Sequence, residues 1–382
     1  MNSIILQQPG TIVFGENCIG RLIDNRFVQA SKRILWLITS PLINTLQPTL
    51  EAITTSGKTV ELIDYNFPGE PTFSQFEALL AQSEQFNPDC VIGIGGGSVL
   101  DCAKLLAALT GNNQKLEDIA GIGLLNGRSK KLICLPTTSG TGSEMSPNAI
   151  LLNETTLAKS GIISPYLLPD ACYIDPVLTI SLPARLTAET GMDALAHCIE
   201  AYTNKFAHPA VDIYALKGME LIAQNLQRAC ENGNDIEARS ALALGSMYGG
   251  LCLGPVNTAA IHALSYGLGG RFHVPHGLAN AIVMPEVLRF NMEASIERHA
   301  TVALALGVQN KGDEKETALA GIEKIKEISR ACGIPQHLSD IGIKAEDLSE
   351  LADIAMGVTR LLKNNPREVT KTDAIEIYRK LL

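Results

Sequence analysis

No apolar run in this chain approaches the ~18 residues that a membrane-crossing helix needs, although 46% of the residues are hydrophobic. The apolar side chains are dispersed for burial, and no membrane partner is expected. Positive charge is also short: 31 Lys and Arg face 40 Asp and Glu, for a net charge of −9. That balance excludes a nucleic-acid partner, since such binding draws its affinity from basic residues neutralising phosphates. The densest basic cluster, Arg128-Ser129-Lys130-Lys131, reads as a solvated loop. No Cys-x-x-Cys pair occurs among the nine cysteines, their number is odd, and most lie inside apolar segments. This is the pattern of unpaired thiols in a reducing compartment, so a cytoplasmic location is expected. Met1 to Gly10 shows no basic stretch ahead of an apolar one and does not read as a secretory signal. There is no internal repeat, no low-complexity segment and no Walker-type phosphate loop. Histidine is scarce at seven residues, which makes its distribution informative.

A chain of 382 residues is long for one core, so two domains are expected. Up to residue 182, short β-branched runs alternate with helical patterns. Runs 33–39, 59–63, 90–94 and 131–135 read as buried strands, and 99–109 as a helix, which implies a parallel sheet covered on both faces. Beyond Leu182-Pro183 the pattern turns helical, over 185–203, 209–230, 234–252, 257–270, 278–306, 314–332, 345–357 and 369–381. The expected architecture is an N-terminal α/β domain with a parallel sheet (1–182) followed by an all-α C-terminal domain (183–382). The stretches 121–127 and 312–313 read as surface loops.

Four of the seven histidines fall in two short stretches. Within 190–201, Asp193 and His197 stand four residues apart, one turn apart on one helix face. Between Ile261 and Gly277 lie His262, His273 and His276. Asp193, His197, His262 and His276 could supply one carboxylate and three imidazoles to a single divalent ion, a donor set suited to Fe²⁺ or Zn²⁺ that leaves room for a substrate oxygen. An Asp/His pair at this spacing is also an ordinary surface hydrogen bond, but the neighbours here are apolar or small, and buried imidazoles need partners.

The strand at 90–94 runs into Gly95-Gly96-Gly97-Ser98 and then a helix. Glycines let the backbone approach an anion, and the new helix offers free amides and its positive dipole end. Ser98 is placed to N-cap that helix, with Asp101 in a capping-box position. Three glycines can equally be a tight turn. A second polar strand end, Pro136-Thr137-Thr138-Ser139-Gly140-Thr141-Gly142-Ser143-Glu144, suggests a shared ligand groove.

Taken together, these segments resemble the iron-containing (group III) alcohol dehydrogenase family. The resemblance rests on Gly95–Ser98 with Asp101 and Lys104, on 136–144, on Leu168-Pro169-Asp170 and Ile174-Asp175-Pro176, on 187–202, and on 262–285. It implies a dehydroquinate synthase-like architecture, with a dinucleotide-binding α/β domain, a helical metal-binding domain and the active site in the cleft between them. It also implies metal-dependent interconversion of alcohols and aldehydes, in which the metal polarises the substrate oxygen and hydride passes to or from C4 of NAD or NADP. Carried over residue by residue, Asp193, His197, His262 and His276 match the metal ligands. Gly95, Gly96, Gly97 and Ser98, with Asp101, match the pyrophosphate loop, and Thr137 and Thr138 the nicotinamide side, with Thr141, Ser146 and Asn148 nearby. Lys159 matches a lysine that reaches the ribose, and Leu178 an apolar wall. The resemblance also implies a homodimer.

Three departures stand out. Tyr266 occupies a position where many members have a histidine; it shapes the pocket or relays a proton, with His273 as the alternative relay. Ser40 replaces the aspartate by which NAD-specific members repel a 2′-phosphate, so NADP is not excluded. Gly142 replaces an acidic residue of polyol-oxidising members, which disfavours a glycerol-type substrate. A maleylacetate-type reductase, a phosphorylated-substrate lyase and a non-catalytic nucleotide-binding scaffold are the competing readings.

Overall fold

The computed structural model describes residues 3–67, 69–154 and 158–382. Its contacts divide into two compact units. One comprises Gln7–Thr138 and Gly142–Thr179; the other comprises Ile180–Leu382, Ser139–Thr141 and an N-terminal stretch ending at Leu6.

The first unit is built on six strands: β1 (Ile12–Phe14), β2 (Arg33–Ile38), β3 (Thr59–Asp64), β4 (Cys90–Gly95), β6 (Lys131–Pro136) and β9 (Ala171–Ile174). They pair in the order β1-β9-β6-β4-β2-β3, every pairing parallel. All six residues of the central strand β4 are buried, as expected for a parallel strand covered on both faces. The chain passes from β2 to its neighbour β3, then crosses back over β2 to β4. The order therefore reverses between β2 and β4, and ligands bind such sheets at the carboxyl ends of the strands flanking that point. Helices α1 (Ile43–Thr55), α2 (Phe73–Phe86) and α3 (Gly97–Leu109) make the crossovers. A second sheet of three strands, β5 (Gly121–Ile122), β8 (Ala158–Ile163) and β7 (Asn148–Asn153), pairs in the order β5-β8-β7.

The second unit is helical. Its longer helices are α4 (Ala184–Thr203), α5 (Pro209–Glu231), α6 (Ile236–Leu253), α7 (Ala260–Phe272), α8 (His276–Met292), α9 (Ile296–Ala305), α10 (Glu314–Ala331), α11 (Leu348–Gly357) and α12 (Lys371–Arg379). Helix α4 runs through its core, with sixteen of twenty residues buried.

Several expectations need correcting. The single helix expected over 278–306 is two: α8 ends at Met292, and Ser295, with a non-helical backbone (φ −158°, ψ 60°), stands immediately before α9. Gly121 and Ile122, read as loop, form β5. Arg128, read as solvated, is mostly buried and pairs with Asp170 at 3.0 Å. Ser98 is not an N-cap: α3 starts two residues earlier than expected, at Gly97, with Gly96 at the cap and no side-chain cap bond. Asp101 consequently does not close a capping box. Its carboxylate accepts from Ser143 Oγ (2.5 Å) and the Ile150 amide (2.9 Å), tying α3 to the 143–150 segment. All nine cysteines are unpaired, and seven are buried. No helix among the described residues is long and apolar enough to cross a membrane.

Candidate active site

Asp193 and His197 lie one turn apart on the buried face of α4, His262 in the first turn of α7 and His276 at the start of α8. The Asp193 Oδ1 atom is 3.5 Å from His262 Nε2, 3.6 Å from His276 Nε2 and 3.8 Å from His197 Nε2. Around a tetrahedral ion with bonds of ~2.1 Å, ligand atoms stand about 3.4 Å apart, so this spacing fits one ion. The tightest group is Asp193, His262 and His276, with ligand atoms all within 4.8 Å of one another. His197 joins it through Asp193 and by stacking on His262, ring centroids 4.8 Å apart. Asp193, His197 and His262 are buried, and His276 is half-buried.

Two neighbours complete the arrangement. Glu200, on α4, accepts from the Ile261 amide (2.6 Å) and from His262 Nδ1 (2.5 Å). One carboxylate therefore caps an orphan amide at the start of α7 and turns Nε2 of His262 toward Asp193. Asn280, one turn beyond His276 on α8, is fully buried. Its Nδ2 lies 2.7 Å from Asp193 Oδ1, 3.1 Å from His262 Nε2 and 3.2 Å from His276 Nε2. The Asn280 amide donates to Asp193, and two imidazole nitrogens, donor or acceptor according to tautomer, crowd the same point, a grouping that a cation bound by neutral imidazoles would satisfy.

The electrostatics agree. Burial alone would raise the Asp193 pKa, yet the imidazoles of His197, His276 and His262 hold it well below the usual carboxylate range. Burial alone would lower the pKa of His262, but Glu200 and Asp193 hold it up at about 9. Burial dominates for His197, whose pKa is lowered. Helix α8 reaches this point because residue 277 is glycine: a Cβ there would run into the Glu189 carbonyl of α4.

The other expected residues fall as follows. The Tyr266 ring centroid lies 6.1 Å from that of His276, whereas His273 is exposed at the C-cap of α7 with φ +56°. In the sheet unit, Gly96, Gly97 and Ser98 are half-exposed at the carboxyl end of β4. A Cβ on Gly95 would lie 2.5 Å from Val99 Cγ2, which is why the turn into α3 needs glycine there. The first amides of α3 carry no side-chain cap, leaving them for an anion. Thr137 and Thr138 follow the adjacent strand β6, and the Thr137 amide bonds Gly95 O at 3.0 Å. Ser146 is buried, and Asn148 Oδ1 is buried without a hydrogen-bond partner among the described residues. Such an orphan acceptor fits a ligand carrying donors. The Lys159 side chain is buried and pairs with Glu70 at 2.5 Å; Thr156 and Leu157 of its motif lie outside the described residues. Leu178 is packed in the core of the sheet unit. Ser40 is exposed after β2, and Thr141 lies in the short segment grouped with the helical unit.

Comparison with known proteins accounts for this combination. Residues 9–176 match the family described as iron-containing alcohol dehydrogenase, and residues 187–382 match the C-terminal part of the Fe-containing alcohol dehydrogenase family. The chain belongs to the iron-containing alcohol dehydrogenase family. It is 33% identical over 380 residues to 1,3-propanediol dehydrogenase of Klebsiella pneumoniae, covering 97% of each chain. It is also 33% identical over 314 residues to an NAD-dependent methanol dehydrogenase of Bacillus methanolicus, covering 82% of each. Among solved structures, a 1,3-propanediol oxidoreductase superposes with a TM-score of 0.95 at 32% identity, over 100% of both chains. Membership of the iron-containing alcohol dehydrogenases makes this protein a metal-dependent, NAD-linked oxidoreductase acting on alcohols.

Glu200 and Asn280 were missed in the sequence. The signal was present: both stand at helical spacing from a ligand, Glu200 three residues after His197 and Asn280 four after His276.

Proposed function

We propose that Asp193, His197, His262 and His276 hold one Fe²⁺, with Zn²⁺ as the alternative, and that the loop Gly95–Ser98 with Thr137, Thr138 and Asn148 holds NAD(H). The substrates are small primary alcohols and the corresponding aldehydes, by analogy with the relatives named for 1,3-propanediol and methanol. The observation that carries the reading is the convergence of one carboxylate oxygen and three imidazole nitrogens, separated from that oxygen by 3.5–3.8 Å.

When bound, the ion polarises the substrate oxygen, and the nicotinamide accepts or donates hydride at C4. The chain supplies position and field. Asp193 brings the negative charge that a divalent ion requires, Glu200 fixes the His262 ring, and Asn280 donates to the Asp193 carboxylate and so fixes its orientation. The uncapped amides of α3 receive the pyrophosphate. Tyr266, beside His276, forms part of the substrate wall; its phenol, with a usual pKa near 10, is a poor proton carrier at neutral pH. Gly142, at φ +58°, brings no acidic side chain to its position, in keeping with a substrate simpler than a polyol. A homodimer in the cytoplasm completes the proposal, supported by the family and by nine unpaired thiols.

His262→Ala and His276→Ala test this reading. Each should abolish metal-dependent absorbance change at 340 nm across an alcohol and aldehyde panel while leaving the NADH dissociation constant within about threefold of wild type. Full turnover in either variant, or equal loss of metal and dinucleotide, would sink it.

A further inference from the structure

The carboxyl ends of four adjacent strands, β6, β4, β2 and β3, carry in order Thr137 and Thr138, the glycine loop, Ser40 and Asp64. Adjacent strands stand about 4.8 Å apart. With the nicotinamide at β6 and the pyrophosphate at β4, a dinucleotide must extend its adenosine half over the ends of β2 and β3. Ser40 itself carries no charge. Yet its backbone amide donates to Asp64 Oδ1 at 2.9 Å, which fixes a carboxylate beside it. Asp64 is exposed, its partner across the pair is Ile38, and its Oδ2 has no partner among the described residues.

The surroundings lack the opposite charge. From Arg33 to Gly95, the stretch that contains β2, β3, β4 and the crossovers between them, the sequence holds two basic residues, Arg33 and Lys58, and Arg33 opens β2 at the end away from Ser40, its guanidinium donating to the Phe86 carbonyl. The Lys58 ammonium is engaged by the carbonyls of Gln29 and Ser31, and Lys58 directly precedes β3, at the end of the strand opposite Asp64.

From this, and resting on the dinucleotide reading above, we propose that Asp64 is the specificity-determining residue for the cofactor. Its carboxylate accepts from the adenosine ribose 2′-hydroxyl of NAD(H) and repels the 2′-phosphate of NADP(H). It thereby replaces from the neighbouring strand the charge that Ser40 lacks. A carboxylate and a phosphate dianion about 6 Å apart in water repel enough for roughly a tenfold difference in affinity, and the lost hydroxyl contact adds to it.

The test is equilibrium binding of NADH and NADPH, followed by nucleotide fluorescence, to wild-type protein and Asp64→Asn. Asparagine keeps an oxygen for the Ser40 amide and removes only the charge. Wild type should bind NADH at least tenfold more tightly than NADPH. The variant should gain about tenfold for NADPH while NADH changes less than threefold. Raising the salt concentration should tighten NADPH binding to wild type, by screening the repulsion, and should not tighten it in the variant. Equal affinity of wild type for both dinucleotides, or an unchanged ratio in Asp64→Asn, overturns the role of Asp64 alone. Binding of neither overturns the dinucleotide reading and this inference with it.

Discussion

Glu200 shows how one side chain can serve fold and chemistry together. Each of its oxygens accepts one hydrogen bond, from Ile261 N and from His262 Nδ1, and at 3% exposure neither bond has water as an easy substitute. Glutamine at this position keeps the shape but presents only one acceptor, so either the α7 amide or the imidazole loses its partner. Removing such an outer partner of a ligating histidine weakens metal binding by roughly 10–100-fold. Glu200→Gln should therefore raise the Zn²⁺ dissociation constant within that range, measured by competition with a chromophoric chelator, while NADH affinity is unchanged. An unaltered constant would reduce Glu200 to a helix cap. At this scale the sequence was legible where chemistry is rare: Asp193 and the three histidines stand out because the chain has so few imidazoles. For Glu200 and Asn280 it offered only their helical spacing from a ligand, and for Asp64 nothing. Acidic and amide residues are common, and only packing reveals which of them meets a ligand.

Among elements, α4 and α8 carry the burden of precision. The start of α8 lies close enough to α4 that the backbone of residue 277 faces the Glu189 carbonyl with no room for a methyl group, and Asp193 Cβ is 3.4 Å from the same point. Gly277→Ala must push the two helices apart, which costs about 1–3 kcal/mol for a tightly packed site, and the shift falls directly on His276. Its melting temperature should drop by several degrees, and metal affinity should fall more steeply than in a surface variant. Wild-type metal affinity in this variant would show that the close approach is dispensable. Element type was readable wherever period and length agreed. The apolar runs became β2, β3, β4 and β6, although β3, at the sheet edge, buries only Ile63 and is not the buried strand expected, and the long amphipathic stretches became helices. Boundaries failed where no residue type marks them. Between α8 and α9, Asn291 to Ser295 contains neither glycine nor proline, and the break includes a non-helical Ser295 that periodicity cannot register. Strand β8 (Ala158-Lys159-Ser160-Gly161-Ile162-Ile163) was missed because it mixes polar and small residues, and β9 because four residues are too short a run to show a period; pairing partners decide such conformations.

For the whole molecule, the consequence is that two ligands should stabilise two different sets of residues. The proposed metal ligands all belong to the helical unit, and the glycine loop, Thr137, Thr138 and Asp64 to the sheet unit. A ligand that binds only the folded state stabilises it by RT ln(1 + [L]/Kd), about 2.7 kcal/mol at a hundredfold excess over Kd. In amide hydrogen exchange, removing the metal with a chelator should therefore speed exchange chiefly in α4, the first turn of α7 and the start of α8. Adding NADH to the same metal-free protein should slow it at the start of α3 and the ends of β2 and β4. Where each ligand's contacts are made decides the pattern, because binding energy protects first the segments that must open to release it. Protection by NADH confined to α4 and α8, or by metal confined to the glycine loop, would contradict the assignment of the two sites. An experiment of this kind reads both sites without any turnover, so it stays informative even before the natural alcohol is found.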